Sequence, residues 1–248
     1  MPIHNIYKPL GWSSLDVITE FQKRFPEYIE VPMTFAGRLD PMAEGVMILL
    51  SGEDRYSKDE FQNLDKTYKA EFLFGFTSDT YDCLGLVERS GVVPNINEEQ
   101  VSDRLMGLHK LEFPPYSSYR VKGKPLHHWA NEGKLDEIDI PIKKMSVMKI
   151  SDVEIYKDRI ENVRGDVLDR IIKVRGNFRQ DKIIKRWNKL TTDNDLTLAQ
   201  CTIEVTSGTY IRALAHKMGQ NYGCGAVLYS LKRTTVGNHK VEDSLRIS

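Results

Sequence analysis

The hydrophobic positions along this chain follow two periods, one typical of strands and one typical of helices. Apolar side chains recur at every second residue over Thr67–Phe76 and over residues 145–156, which predicts half-buried strands. Between residues 160 and 174 they recur three or four residues apart, which predicts an amphipathic helix. Strands and helices are therefore both predicted.

The remaining segments add further strands and helices in irregular order. Further strands are predicted before Pro9 and over residues 46–50 and 224–237, and further helices over residues 14–25, 53–64, 95–108, 127–131 and 178–190. Residues 198–219 are predicted to form a strand, a Ser-Gly turn and a helix. Because the order lacks a regular βαβ alternation, the predicted fold class is α+β. No internal repeat or low-complexity linker divides the 248 residues, which favours one domain.

Composition excludes several classes of protein. Hydrophobic residues make up 40% of the chain and charged residues 28%, as in ordinary globular proteins. No apolar run approaches the roughly 20 residues needed to span a bilayer, and the first residues lack the layout of a secretory signal. Three cysteines without metal-ligand spacing argue against a disulfide framework or a zinc site. We therefore expect a cytoplasmic protein without a membrane partner.

Charge is balanced over the whole chain but not along it. The formal net charge is zero, which argues neither for nor against a nucleic-acid partner. Residues 157–195, called here the insert, hold eleven Lys or Arg against seven Asp or Glu. Any basic surface must therefore be local, and the insert is the candidate for it.

Asp40 is the first candidate for chemistry. It lies on a predicted turn between Leu39 and Pro41 and precedes a strongly apolar run. A carboxylate held still and partly shielded from water can act as a nucleophile or base, but it needs a cationic partner. Arg38 and Arg212 are the two candidates for that partner. A turn aspartate that merely caps the next segment fits the pattern equally well.

The pattern around Arg212 and Tyr68 has ordinary structural explanations. Ser207 and Thr209 can begin a helix, and the spacing alone favours Arg212 as a solvated residue on it. Tyr68 fits a strand aromatic packed on the core. The chain has no Walker loop, dinucleotide fingerprint, Gly-X-Ser-X-Gly elbow or HExxH motif, so no cofactor or metal is expected.

Five segments, in order and at the expected spacing, resemble the TruB family, the tRNA pseudouridine synthases that act in the T-arm. They are YKPLGWSSLDV (7–17), AGRLDPMAEGVMILLSGEDRYSK (36–58), DKTYKAEFLFGFTSDTYDCLG (65–85), FPPYSSYRVKGKPLHHWANEG (113–133) and VTSGTYIRALAHKMGQNYGCGAVLYSLKRT (205–234). The resemblance implies the pseudouridine synthase fold, a mixed and mostly antiparallel central sheet flanked by helices, with the active-site cleft across it. It also implies isomerisation of a flipped uridine to pseudouridine, without a cofactor or metal.

The resemblance also assigns roles to residues. Asp40 falls on the family's catalytic aspartate, Tyr68 on its active-site tyrosine and Arg212 on the arginine that pairs with the aspartate. Residues 113–142, called here the closing segment, fall on the part that closes over the T-loop. The expected substrate-binding residues are Lys8, Phe35, Arg38, Tyr210 and Leu231.

Four departures from the family pattern stand out. Phe35 replaces the histidine usual five residues before the aspartate, which alters how the base is extruded. Arg38 replaces a small residue and gives the GRLD sequence typical of ribosomal-RNA pseudouridine synthases. The chain ends where many relatives continue, so we expect no C-terminal PUA-type domain. The insert is longer than the family's connection at that point.

Three functional hypotheses result. The first is a monomeric tRNA pseudouridine synthase acting at position 55, in which the insert contacts the RNA backbone. The second is an isomerase of the same fold that acts on ribosomal RNA, and the third is an RNA-binding module without turnover. The insert also fits a helical hairpin with a solvated face that plays no part in RNA binding.

Overall fold

A computed structural model describes residues 3–192 and 195–247. The strands are β1 (His4–Lys8), β2 (Met33–Ala36), β3 (Ala43–Ser51), β4 (Lys66–Phe74), β5 (Phe76–Thr77), β6 (Glu88–Arg89), β7 (Gly107–Glu112), β8 (Arg120–Val121), β9 (Lys124–Pro125), β10 (Ile142–Asp158), β11 (Leu196–Val205), β12 (Ala226–Val236), β13 (His239–Lys240) and β14 (Leu245–Arg246). The helices are α1 (Ser14–Arg24), α2 (Lys58–Gln62), α3 (Glu98–Leu105), α4 (Leu126–Asn131), α5 (Ile160–Ile171), α6 (Gln180–Asn188) and α7 (Ile211–Tyr222).

Ten of the strands form one sheet in the order β14-β1-β3-β12-β4-β11-β10-β7, with β2 paired to β3 and β13 paired to β12. Only the β1–β14 and β3–β12 pairings within it are parallel. The predicted α+β class and its mixed, mostly antiparallel sheet are therefore confirmed. The parallel β3–β12 pair matters for the site, because it joins the strand after Asp40 to the strand that carries Leu231.

Apolar side chains cover both faces of the sheet, as the side chains on the two faces of β4 show. Tyr68, Ala70 and Phe72 belong to one cluster with the buried faces of α1, α3 and α7, whereas Leu73 belongs to a second cluster with α5 and α6. Successive residues of a strand point to opposite faces. The helices therefore lie on both sides of the sheet. No helix among the described residues is long and apolar enough to cross a membrane.

Local signals explain where several helices begin and end. Ser13 accepts from the Asp16 backbone N–H while the Asp16 carboxylate accepts from the Ser13 N–H, a capping box at the start of α1. The helix predicted over residues 95–108 ends at Leu105, because Gly107 adopts φ +94° and begins β7. The helix predicted over residues 53–64 is a 3₁₀ segment followed by the five-residue α2.

The insert packs into the second apolar cluster rather than standing apart from the domain. Trp187 is fully buried, and its Nε1 donates to the Cys83 carbonyl at 3.2 Å. Arg170 donates from Nη2 to the Tyr229 carbonyl of β12 at 2.6 Å. An aromatic side chain of this size in a core contributes several kcal/mol. The insert is therefore part of the folded core.

Replacing Trp187 with alanine should test this packing. We expect the free energy of unfolding to fall by about 3–5 kcal/mol, because the change opens a large cavity between α6 and the sheet. Urea unfolding measures the loss. Lys185→Ala, at an exposed position of α6, is the matched control and should stay within about 0.5 kcal/mol. Equal stability of the two variants would mean that the insert is not part of the core.

Candidate active site

The turn that carries Asp40, residues 37–42, lies directly before β3. The Asp40 carbonyl accepts from the Ala43 N–H at 3.0 Å, and Leu39 is buried with only 6% of its surface exposed. Gly45 follows at φ +109°, where a Cβ atom would lie 2.1 Å from the Arg233 carbonyl oxygen. Only glycine allows β12 to approach this closely. The apolar run after Asp40 therefore anchors the turn against β12.

Arg233 of β12 holds the turn by hydrogen bonds to backbone carbonyls. Its side chain is almost fully buried and donates from Nε to the Val46 carbonyl at 2.7 Å. It also donates to the carbonyls of Arg38 at 3.3 Å and Gly37 at 3.1 Å. Sequence analysis missed this residue. The sequence places this charged residue two positions after Leu231 in a predicted strand. Residues two apart point to the same face, so Arg233 could have been recognised as facing inward with Leu231.

Lys8 supports the turn from the side of β1. It is fully buried, and its Nζ donates to the carbonyls of Ala43 at 2.6 Å and Pro9 at 3.0 Å. Burial lowers the pKa of Lys8 to about 7, and the negative charge of Asp40 partly opposes that shift. Lys8 was predicted to bind substrate. The structure places it beneath the turn, where it contacts backbone carbonyls.

Asp40 and Arg212 form the central ion pair. Arg212 donates from Nε to Asp40 Oδ2 at 2.8 Å and from Nη2 to Oδ1 at 3.1 Å. The same guanidinium donates to the carbonyls of Thr80 at 2.8 Å and Tyr116 at 3.2 Å. The Arg212 side chain is 5% exposed, whereas that of Asp40 is 41% exposed. The paired carboxylate thus keeps an open side.

This geometry decides two alternatives left open by the sequence. Arg212 is buried, so its interpretation as a solvated helix residue is wrong. Arg38 is exposed and places its guanidinium 5.3 Å from the centroid of the Phe35 ring, so Arg212 is the residue that pairs with Asp40. A bidentate arginine fixes the direction of both carboxylate oxygens.

A second carboxylate, that of Asp82, lies close to the Arg212 guanidinium. Its Oδ2 is 3.7 Å from Arg212 Nε, and its Oδ1 accepts from the Thr80 hydroxyl at 2.6 Å and the Leu84 N–H at 2.9 Å. Burial raises the pKa of Asp82, and the charge of Asp40 adds to that effect. Burial lowers the pKa of Arg212, but the two carboxylates outweigh it and the pKa is raised overall. Asp82 was not among the predicted site residues; the signal in the sequence was an acid directly before two apolar residues, Cys83 and Leu84.

Tyr68 and Leu231 lie in the apolar cluster below the turn. They are 6% and 8% exposed and share that cluster with Leu39 and Ala43. Leu231 pairs with Ala43 of β3 and, on its other side, with Ala70 of β4. Tyr68 is two residues from Ala70 and so lies on the same face of β4. An aromatic and an aliphatic side chain thus lie in the apolar cluster that contains Leu39, the residue directly before Asp40.

The other predicted residues lie around this centre. Phe35 is half-buried in β2, with Arg38 on its ring and Lys58 Nζ 5.9 Å from the ring centroid. Tyr210 packs edge-to-face on Phe113 of the closing segment at 5.3 Å. Burial raises the pKa of Tyr210, and the charge of Asp40 raises it further. Tyr210 therefore connects the ion pair to the closing segment.

A short chain of backbone hydrogen bonds connects the turn to the insert. Gly11 donates its N–H to the Pro41 carbonyl at 2.8 Å, and the Gly11 carbonyl accepts from the Arg175 N–H at 2.8 Å. Gly11 adopts φ +88°, and a Cβ atom there would lie 2.2 Å from the Lys173 carbonyl oxygen. The insert therefore occupies the space that a side chain at position 11 would need.

The described residues contain no group of three or more His, Cys, Asp or Glu that could hold a metal ion. The arrangement offers instead a held carboxylate with one open side, a buried counter-charge and an apolar wall. Such a site can place a nucleophile against a flat, uncharged ring.

Comparisons with known proteins identify the family of this chain. Residues 30–167 match the family model described as TruB family pseudouridylate synthase (N terminal domain). The tRNA pseudouridine synthase B of Thermotoga maritima is 30% identical over 245 residues, which cover 97% of this chain and 64% of that protein. The protein of the same name from Bacteroides thetaiotaomicron is 28% identical, with 96% and 86% covered. The chain thus spans less than two thirds of the length of the Thermotoga protein.

Solved structures share the fold at lower identity. An H/ACA RNP bound to a substrate RNA containing 2′-deoxyuridine includes a chain that superimposes with a TM-score of 0.57 at 17% identity, covering 99% of this chain and 50% of the other. A Cbf5-Nop10-Gar1 complex gives a TM-score of 0.56 at 18% identity, with 98% and 51% covered. These likenesses support the fold. Because the family model matches more than half of the chain, including the turn that carries Asp40, this protein belongs to the TruB family of pseudouridylate synthases.

Proposed function

We propose that this protein isomerises uridine to pseudouridine in the T-loop of tRNA, at the position that the family numbers 55. The observation that carries the proposal is the bidentate pair between Arg212 and the half-exposed Asp40. A protein that only binds RNA has no need of a carboxylate oriented by a buried cation. Several relatives carry the name tRNA pseudouridine synthase B, which supports tRNA over ribosomal RNA.

The proposed reaction rearranges bonds without a net change in atoms. The bond from N1 of the base to C1′ of the ribose breaks, the base turns, and a bond from C5 to C1′ forms. C5 loses its proton and N1 gains one, so neither an oxidant nor a cofactor is consumed. A base inside a folded loop cannot present its glycosidic bond and must be flipped out first.

Each part of the site has a role in this proposal. Asp40 acts as the nucleophile, using the open side of its carboxylate, and Arg212 holds the carboxylate in position. The bond that Asp40 forms to the uridine is broken again before the product leaves, which regenerates the carboxylate. Tyr68 packs against the flipped base and relays the C5 proton, taking it up as its own hydroxyl proton leaves. Leu231 supplies the apolar wall. Arg233 keeps the turn in place through its carbonyls, and Lys8 holds the Ala43 carbonyl directly after it.

Residues around the site fit RNA recognition. Phe35, with its two cationic neighbours, can stack in the gap left by the flipped base. The closing segment has a small apolar core of its own, formed by Phe113, Leu126 and Ile138. We propose that it closes over the T-loop while its first residues stay in place, with Tyr210 packed against Phe113.

The insert adds a basic face. Lys182 and Lys185 of α6 and Lys189, the residue that caps its C-terminus, are exposed at i, i+3 and i+7, opposite the buried Ile183 and Trp187. Several arginines of the insert are instead engaged within the protein, including Arg170 and Arg186. We propose that the three lysines contact RNA phosphates in a monomeric, cytoplasmic enzyme.

Asp40→Asn tests the proposed nucleophile. We expect pseudouridine formation in unmodified tRNA to fall at least about 1,000-fold, because an amide cannot replace an attacking carboxylate. Folding and tRNA binding should remain. Chemical mapping of pseudouridine in tRNA and in ribosomal RNA fragments gives the measurement, and Asp103→Asn on the exposed face of α3 is the matched control.

The outcomes of this mapping separate the hypotheses. Wild-type product on ribosomal RNA alone would contradict the tRNA assignment, and product on neither RNA would contradict the enzyme. Substantial product from Asp40→Asn would refute the role of Asp40.

Changing Lys182, Lys185 and Lys189 together to glutamine tests the basic face. We expect the slope of log K against log salt for tRNA binding to become shallower by about three, since each phosphate contact contributes about one unit. The rate at saturating tRNA should stay unchanged. The control variant changes three exposed lysines of β7 and β10, Lys110, Lys144 and Lys149. An unchanged slope in the α6 variant would show that this face is only solvated.

A further inference from the structure

Arg179 is one residue of the insert whose side chain reaches the wall of the candidate active site. This residue directly precedes α6, and its Nη1 donates to Asp79 Oδ2 at 2.8 Å. Its guanidinium carbon lies 4.4 Å from the centroid of the Tyr116 ring. Asp79 belongs to the loop of residues 78–85, whereas Tyr116 belongs to the closing segment. One side chain of the insert therefore contacts both segments.

These two segments also hold Arg212. The carbonyls that accept from its guanidinium belong to Thr80, which follows Asp79, and to Tyr116 itself. Arg179 thus contacts Asp79, which directly precedes the residue that supplies the first carbonyl. It also contacts Tyr116, which supplies the second. A shift of either segment would move an acceptor of Arg212, whose remaining bonds orient Asp40.

Arg179 makes this contact although its backbone adopts an unfavourable conformation. Its φ is +65°, the left-handed region that residues other than glycine seldom adopt. The residue at this strained position has a long side chain, and only 26% of that side chain is exposed. Burial and the neighbouring charge of Asp79 raise the pKa of Tyr116, and the charge of Arg179 partly opposes that shift.

We propose that Arg179 is a positioning residue for the uridine isomerisation. By joining Asp79 to Tyr116, it holds the two carbonyls that orient Arg212, and through Arg212 it holds Asp40. The insert thereby supplies part of the active-site wall, in addition to any contact of its lysines with RNA. The kinetic consequence rests on the function proposed above, whereas the structural consequence does not.

Arg179→Gly is the informative variant, because glycine adopts φ +65° without strain and folding is therefore preserved. At saturating tRNA we expect the single-turnover rate to fall about 10- to 100-fold, as for a small misplacement of catalytic groups, with KM within about twofold. Arg179→Lys should restore part of the rate, since an ammonium can keep the pair with Asp79 but not the stacking on Tyr116. Arg186→Gln is the control, because Arg186 of the same insert pairs with Glu88 at 2.7 Å away from these carbonyls.

A second measurement does not depend on activity. Amide hydrogen exchange in residues 78–85 and 113–120 should rise in Arg179→Gly and stay at the wild-type level in Arg186→Gln. If wild-type protein forms no pseudouridine, the proposed function fails, and the exchange data still decide whether Arg179 holds the two segments.

Three results would overturn the inference. One is unchanged exchange in both segments, and another is a single-turnover rate within twofold of wild type. The third is a raised KM with an unchanged rate at saturation, which would make Arg179 an RNA contact instead of a positioning residue.

Discussion

The rest of the site depends on the pairing of a buried guanidinium with a half-exposed carboxylate. Arg212 is almost fully buried, so its charge must be balanced inside the protein. The carboxylates of Asp40 and Asp82 balance it. Its remaining donors need carbonyl partners, which come from Thr80 and Tyr116. Because those partners lie far apart in sequence, the ion pair forms only when the turn, the 78–85 loop, the closing segment and α7 have assembled. Folding and formation of the site are thus one event.

The Asp40 turn is held by buried cations as well as by the apolar side chains of Leu39 and Met42. Lys8 and Arg233 are buried beneath it and donate to its carbonyls and to those at the start of β3, while Arg212 holds its carboxylate. Arg212 and Arg233 keep buried positive charge beside the turn, whereas burial lowers the pKa of Lys8 to about 7. That positive charge favours an anionic side chain at position 40.

Hydrophobic period alone predicted the fold class and most long elements, because β4, β10 and α5 each bury one regular stripe. It missed β2 and β7, which are short or partly exposed and so carry little pattern. Asp40, Tyr68 and Arg212 were found only through the five-segment resemblance, since spacing gave each an ordinary structural explanation. Asp82, Arg179 and Arg233 were missed because their roles come from tertiary contacts between residues distant in sequence.

The contact at Gly11 has an evolutionary consequence. Its N–H reaches the turn, its carbonyl reaches Arg175, and the Lys173 carbonyl fills the place of a side chain. A larger residue at position 11 and the present path of the insert exclude each other. A chain that keeps the present path of the insert must therefore also keep a glycine at position 11.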